Sequence, residues 1–278
     1  GNYRRSLLQN MTSQMFSLRL QEMTKVANPP FLGAGGGYSG FLAGAEVFNL
    51  VVVPKIQDMN ASYETALTEV FRASKHGFTN GELDRAKTEM IRGYERALQE
   101  KDKTESSAFA RELSGYFHDG ESMPGIELEH EMAKVFLGDI TLAEVNNAMK
   151  SYIRDEGLVI TVDAPDKPEV KVPTEKELLD IYNKVKNLNV EPYKDDAVTK
   201  PLMATKPTPG KIISETKDEK FGTVEMTLSN GAKVVVKATD FKNDQVIMRS
   251  YSYGGSSLVS DNDYINATFA AAVVDFRI

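Results

Sequence analysis

Residues able to bind a catalytic metal, or to exchange a proton near neutral pH, are scarce in this chain. It carries three histidines, His76, His118 and His130, and no cysteine. Zinc is held by His, Cys and carboxylate side chains, and a helical zinc motif puts two His four residues apart on one face. No two of these His have that spacing. His130-Glu131 begins like the HExxH motif, but Lys134 stands where the second His belongs, and a cation there would repel the metal. His130 therefore reads as a solvated side chain on a charged helix. His76, beside Gly77, reads as a helix-end residue complementing the negative end of the helix dipole. His118, in Phe117-His118-Asp119-Gly120, reads the same way. Without Cys there is no disulfide scaffold, no thiolate zinc site and no thiol nucleophile. No Ser stands in a GxSxG context.

Gly35, Gly37 and Gly40 satisfy GxGxxG. A dinucleotide site needs a strand before those glycines and a helix after them. Here a helical pattern and Asn28-Pro29-Pro30 come first, and an apolar strand pattern follows. The glycines thus read as a flexible or closely packed strand entry. Glu82 near Lys87, and Glu89 near Arg92, read as a solvated helix face. Taken residue by residue, the chain specifies no catalytic, cofactor-binding or metal-ligating set of its own.

Composition narrows the classes further. Of 278 residues, 41% are hydrophobic and 26% charged, with a net charge of −7. That is too apolar for a disordered chain. It offers no basic surplus to neutralise nucleic-acid phosphates, so no nucleic-acid partner is expected. No run approaches the roughly 20 apolar residues of a membrane-spanning helix. The chain opens Gly1-Asn2-Tyr3 without Met and closes in no recognisable element, so it reads as a piece of a longer protein.

The elements that would position any site follow from periodicity. Leu8, Met11, Met15 and Leu18 predict a helix over 3–26. A strand is expected over 41–53, then a helix over 58–76 with Ala66, Leu67, Val70 and Phe71 inward. Thr79 with Glu82 is a capping box opening one long helix to about Phe117. A short helix over 126–136 precedes a second capping box, Thr141 with Glu144, and a helix to Ile153. Residues 157–162 read as a strand. The stretch 163–222 holds seven of the 11 prolines and reads as a connector. One helix interrupts it, capped by Thr174 and Glu177, with Leu178, Ile181, Val185 and Leu188 on its apolar face. Two alternating runs, 224–228 and 232–236, flank Ser229-Asn230-Gly231, a hairpin signal. A strand over 245–253 and a helix over 264–274 complete the pattern. The hairpin's apolar face, Val224, Met226, Leu228, Val234 and Val236, needs cover. The helix after Thr174, the first domain and a neighbouring chain are the candidates.

Three segments carry a family resemblance. Gly77-Phe78-Thr79-Asn80-Gly81-Glu82-Leu83-Asp84-Arg85-Ala86-Lys87 resembles a helix-opening segment of pitrilysin- and insulinase-type zinc metallopeptidases. Gly138-Asp139-Ile140-Thr141-Leu142-Ala143-Glu144-Val145 is similar to the next such segment. Leu228-Ser229-Asn230-Gly231-Ala232-Lys233-Val234 resembles the hairpin that begins each homologous domain. Their order and spacing agree with the family along nearly the whole chain.

The resemblance implies an α+β fold, a two-layer helix-on-antiparallel-sheet domain of the pitrilysin/processing-peptidase type. It implies that 1–163 is most of the second domain of a first half. Residues 164–222 would then be the inter-half linker and 223–278 the opening of a second, inactive half. The family's zinc motif, HxxEH, would lie before residue 1, so zinc is implied for the parent protein and not for this chain. At the equivalent place in the second half, Tyr264-Ile265-Asn266-Ala267-Thr268-Phe269-Ala270-Ala271-Ala272 has neither His nor Glu. The family's substrate-holding Arg and Tyr map onto Thr24 and Phe31, which fits a domain that does not supply that pair. The implied partners are the active half of the same protein or a homologous subunit, a peptide substrate, and in one arrangement a homodimer. The implied role is chamber wall and linker of a zinc metallopeptidase. The alternative is a non-catalytic homologue serving as an inactive subunit or an assembly or binding protein. A bacterial cell-envelope or periplasmic location follows from the resemblance alone.

Overall fold

In the computed structural model, which describes residues 2–42, 45–195, 205–242 and 245–275, an α+β body precedes a small separate sheet. The body begins with α1 (Asn2–Glu22). Strands β1 (Gly33–Leu42) and β2 (Ala45–Val53) follow as an antiparallel pair, with Gly36 opposite Leu50 and Tyr38 opposite Phe48. Phe48, Leu50 and Val52 alternate inward from β2, as the period of a half-buried strand requires. Then come α2 (Met59–His76), α3 (Asn80–Gln99), α4 (Ser106–Asp119), α5 (Ile126–Asp139), α6 (Leu142–Tyr152) and α7 (Glu175–Lys186).

The apolar stripe of α1 is Leu7, Met11 and Met15, with Phe16 and Leu20 beside it, each at most 1% exposed. Leu18, expected on that stripe, is turned outward. The helix lies across β1, which is a strand from its first glycine rather than the entry to one. Its glycines permit the close approach. A Cβ on Gly36 would stand 2.4 Å from the Asn49 carbonyl oxygen, and one on Gly37 would stand 2.4 Å from Ser13 Cβ. Ser13 and Ser17 exploit the gap: Tyr38 N–H donates to Ser13 Oγ at 2.9 Å, and Ser17 Oγ donates to Gly36 O at 2.8 Å. Helix α2 carries Ala66, Leu67, Val70 and Phe71 into the core as expected.

All three Thr–Glu capping boxes form, at Thr79, Thr141 and Thr174. Each satisfies two backbone N–H groups that the first helical turn leaves unpaired. The single helix expected from Thr79 to Phe117 is interrupted. It stops at Gln99, passes through a 3₁₀ turn over Lys101–Lys103, and restarts as α4 after extended Thr104 and Glu105. Thr104 Oγ1 donates to Glu100 O at 3.3 Å, the local side-chain bonding that competes with helix continuation. Restarted there, α4 buries none of its residues.

Two expected strands do not form. Residues 158–162 join no ladder among the described residues, and Val159 is exposed. Residues 245–253 likewise run without a partner, with Val246, Met248, Tyr251 and Tyr253 all exposed. Alternation marks a residue run that suits a sheet; it does not supply the neighbouring edge.

Beyond the connector, β3 (Ile212–Asp218), β4 (Thr223–Leu228) and β5 (Lys233–Val236) form an antiparallel sheet in that order. The β4–β5 turn is the expected one: Gly231 has φ +84°, and its N–H donates to Leu228 O at 2.8 Å. The third strand, β3, was read as connector; it closes one edge of the hairpin. Helix α8 (Tyr264–Asp275) ends the described chain. No fully buried apolar residue lies beyond Val190 among the described residues, and Val224, Met226 and Leu228 stay half-buried. The cover expected for this sheet was the helix after Thr174, the first domain or a neighbouring chain, and among the described residues the first domain makes no extensive contact with it. Lys103 and the 240–242 segment do meet, Lys103 donating to Asp240 O and Lys242 donating to Lys103 O at 3.2 Å.

Candidate functional site

The residues singled out for chemistry are dispersed. His76 ends α2 as expected, and its Nε2 lies 2.7 Å from Val190 O. His118 is in the last turn of α4, edge-on to Phe117. His130 in α5 departs from its expectation: it is half-buried, and its Nε2 has no hydrogen-bond partner among the described residues. The neighbouring helices cover it, which a run of charges along the sequence does not reveal. Thr24 is half-buried just past α1, and its hydroxyl donates to Gln21 O at 2.7 Å. Phe31 is fully buried in the core.

Among the described residues, no three His, Cys, Asp or Glu side chains lie together in an arrangement that would hold a metal ion. The donor set required for zinc is three protein ligands converging on one point. The described residues do not fit it. A shallow recess of about 370 Å³ lies between α1 and β1, lined by Asn10, Ser13, Gly37, Tyr38, Ser39 and Asn49. It holds no titratable group except the Tyr38 phenol.

The strongest electrostatic feature involves a residue that sequence reasoning passed over. Arg19 continues the spacing Leu7, Met11, Met15 by one more step of four, so the helix carries it into the core. Its side chain is 2% exposed. Nε donates to Glu82 Oε1 at 2.5 Å and Nη2 to Glu82 Oε2 at 2.9 Å, a bidentate grip. Nη1 donates to Glu69 Oε1 at 3.1 Å, and Nη2 also reaches Gly77 O at 2.9 Å. The guanidinium lies 4.6 Å from the Phe78 ring centre and 4.2 Å from that of Tyr193. Burial disfavours its charge, but Glu82 and Glu69 outweigh burial and hold its pKa above the ordinary arginine value.

Glu82, expected on a solvated face with Lys87, is instead buried at 7% exposure. Its carboxylate serves twice. It closes the α3 capping box by accepting from Thr79 N–H at 2.7 Å, and it neutralises Arg19. Glu89 pairs with Arg96 at 3.1 Å rather than with Arg92. The signal available in the sequence was a charged residue at a core position of an apolar stripe, with a capping-box carboxylate to receive it. Chemically the cluster contains no nucleophile and no carboxylate without a partner. It fixes α1, α2 and α3 to one another.

Taken with the fold, this arrangement defines a helix-on-antiparallel-sheet module whose first three helices are joined by a buried ion cluster. Comparison with known proteins gives the family. No family model matches the chain. A zinc protease PQQL-like protein of Arabidopsis thaliana is 30% identical over 208 residues, which is 73% of this chain and 21% of that protein. A probable zinc protease PqqL of Haemophilus influenzae is 22% identical over 280 residues, covering 99% of this chain and 30% of that protein. Among solved structures, the periplasmic protease PqqL from Escherichia coli superposes with a TM-score of 0.56 at 16% identity, covering 85% of this chain and 26% of that one. The separately solved first half of that protease also gives 0.56, at 15% identity, covering 69% of this chain and 42% of that one. The chain belongs to the pitrilysin/insulinase-type metallopeptidase family, as a zinc-protease-like segment. It spans about a fifth to a third of the curated relatives it matches.

Proposed function

We propose that this chain is the non-catalytic wall and connector of a zinc-dependent metallopeptidase, with the zinc ligands in a part of the protein outside it. The observation that carries the reading is the pattern of coverage. The first half of the E. coli protease matches 69% of the chain, while the whole protease matches 85%. The difference is what a chain crossing from one half into the next would give. The unpartnered β3–β5 sheet supports the same reading, as the beginning of a domain whose remaining strands come later.

In this reading the α1–α7 body walls the first half, and the sheet with α8 opens the second. Zinc, bound elsewhere, would lower the pKa of its bound water and make it a nucleophile at neutral pH. This chain would contribute shape, burial and spacing to the chamber in which a peptide is cut. Its partner would be the catalytic domain of the same protein or a homologous subunit. A periplasmic setting is part of the proposal, motivated by the E. coli relative.

Metal analysis and a peptide-hydrolysis assay on the purified 278-residue chain test it. The expected result is no stoichiometric zinc and no cleavage, with cleavage returning when the upstream catalytic domain is supplied. Stoichiometric zinc in the isolated chain would overturn it.

A further inference from the structure

Residues 186–195, from the last residue of α7 onward, lie in the proline-rich stretch but do not behave as free connector. One end of α2 grips their backbone. Lys75 Nζ donates to Lys186 O and Leu188 O, both at 2.8 Å, and Arg72 donates to Glu191 O. His76 contacts Val190 O, and Val190 itself is buried. The side chains that follow reach three more helical positions. Tyr193 stacks on Arg19 and donates its hydroxyl to Glu22 Oε2 at 2.5 Å. Asp195 accepts from both Arg85 nitrogens at 3.1 Å and lies 3.1 Å from Thr79 Oγ1.

These contacts share one property. The receptor is complete without the strap. Arg19 is already held by Glu82, Glu69 and Gly77 O, so lifting Tyr193 away leaves no unpaired charge in the core. Arg85 is 45% exposed and Lys75 is exposed, so water can replace what they lose. Exposed ion pairs and a single cation–π stack are worth little beside the apolar core.

We propose that residues 186–195 form a latch, which opens and closes as a unit on the α1–α3 body with Arg19 as its fixed receptor. Opening frees ten residues of chain, or roughly 30 Å of extended reach, between α7 and the β3–β5 sheet. The latch thereby sets how far apart the two parts of the chain can stand. The inference needs only contacts within this chain and goes beyond the metallopeptidase reading.

The chain has no tryptophan, so Tyr193→Trp places a single fluorescent indole on the receptor. In the full 278-residue chain, acrylamide quenching of that indole is expected to be about tenfold weaker than for a free tryptophan amide. Adding Arg85→Ala should raise quenching several-fold while the circular-dichroism thermal midpoint is unchanged. An indole as accessible as the free amide at the outset would overturn the latch. So would accessibility gained only in step with loss of helix, which would make the strap part of the core. Tryptic cleavage after Lys194 in chains with native Tyr193 gives a second measurement. It should run about tenfold faster with Arg85→Ala than without it, ahead of any cleavage inside α1–α3. Equal rates would overturn the proposal.

Discussion

At the level of single residues, Arg19 decides how three helices meet. Replacing it by Met would leave Glu82 buried without its cation and Glu69 with Arg72 alone. Breaking a buried pair from one side costs about 3–5 kcal/mol. Arg19→Met is therefore expected to lower stability by that amount in urea unfolding. Arg19→Lys should recover only part of it, because an ammonium cannot make the bidentate grip on Glu82. A loss below about 1 kcal/mol for Arg19→Met would show that the cluster is not closed as described. The tyrosines give a pH expectation. Burial raises Tyr63, Tyr152 and Tyr182 to about 12 from the ordinary 10.0, helped at Tyr182 by its hydrogen bond to Asp155. Above the ordinary value the unfolded chain has released protons that the folded chain keeps, so stability falls as pH rises. The decline should begin near pH 10 and be complete once these phenols ionise near pH 12. Absorbance at alkaline pH would follow it, as a late group of tyrosines ionising together with loss of helix.

At the level of elements, the tight joint is between α1 and β1. Gly36→Ala must push a methyl against the Asn49 carbonyl oxygen, backbone that cannot step aside. A cost of about 1–3 kcal/mol is expected from such overpacking, measurable as a shift in the denaturation midpoint. Gly33→Ala, with open space around it, serves as the control and should be near neutral. The local rules were legible in the sequence: the three capping boxes, the Asn-Gly turn and the inward face of α2 all follow from residue types at fixed spacing. What was not legible depends on partners distant in the chain. Residues 158–162 alternate like a strand but meet no edge. The glycines of β1 read as a flexible or closely packed strand entry, and only the fold shows that α1 is the close neighbour. Glu82 looks solvated until Arg19, 63 residues earlier, is found against it.

At the level of the whole molecule, burial is uneven. The core cluster is drawn from residues between Leu7 and Val185, and the sheet beyond supplies none of its buried residues among those described. A chain ending at Asp195 should accordingly melt within about 4 °C of the 278-residue chain in scanning calorimetry. One ending at Val162 loses α7, whose Leu178, Tyr182 and Val185 pack toward α2, and should melt well below it. The long exposed run between α6 and α7 gives this body another property. Residues 156–172 contribute nothing to the core cluster, whereas the pieces on either side meet through the Phe71–Tyr182 ring contact and the Lys184–Glu64 pair. A single nick near Lys167 would thus leave two fragments that copurify. The two halves, expressed apart, would reassemble as a split protein whose association reports on whether they share a compartment.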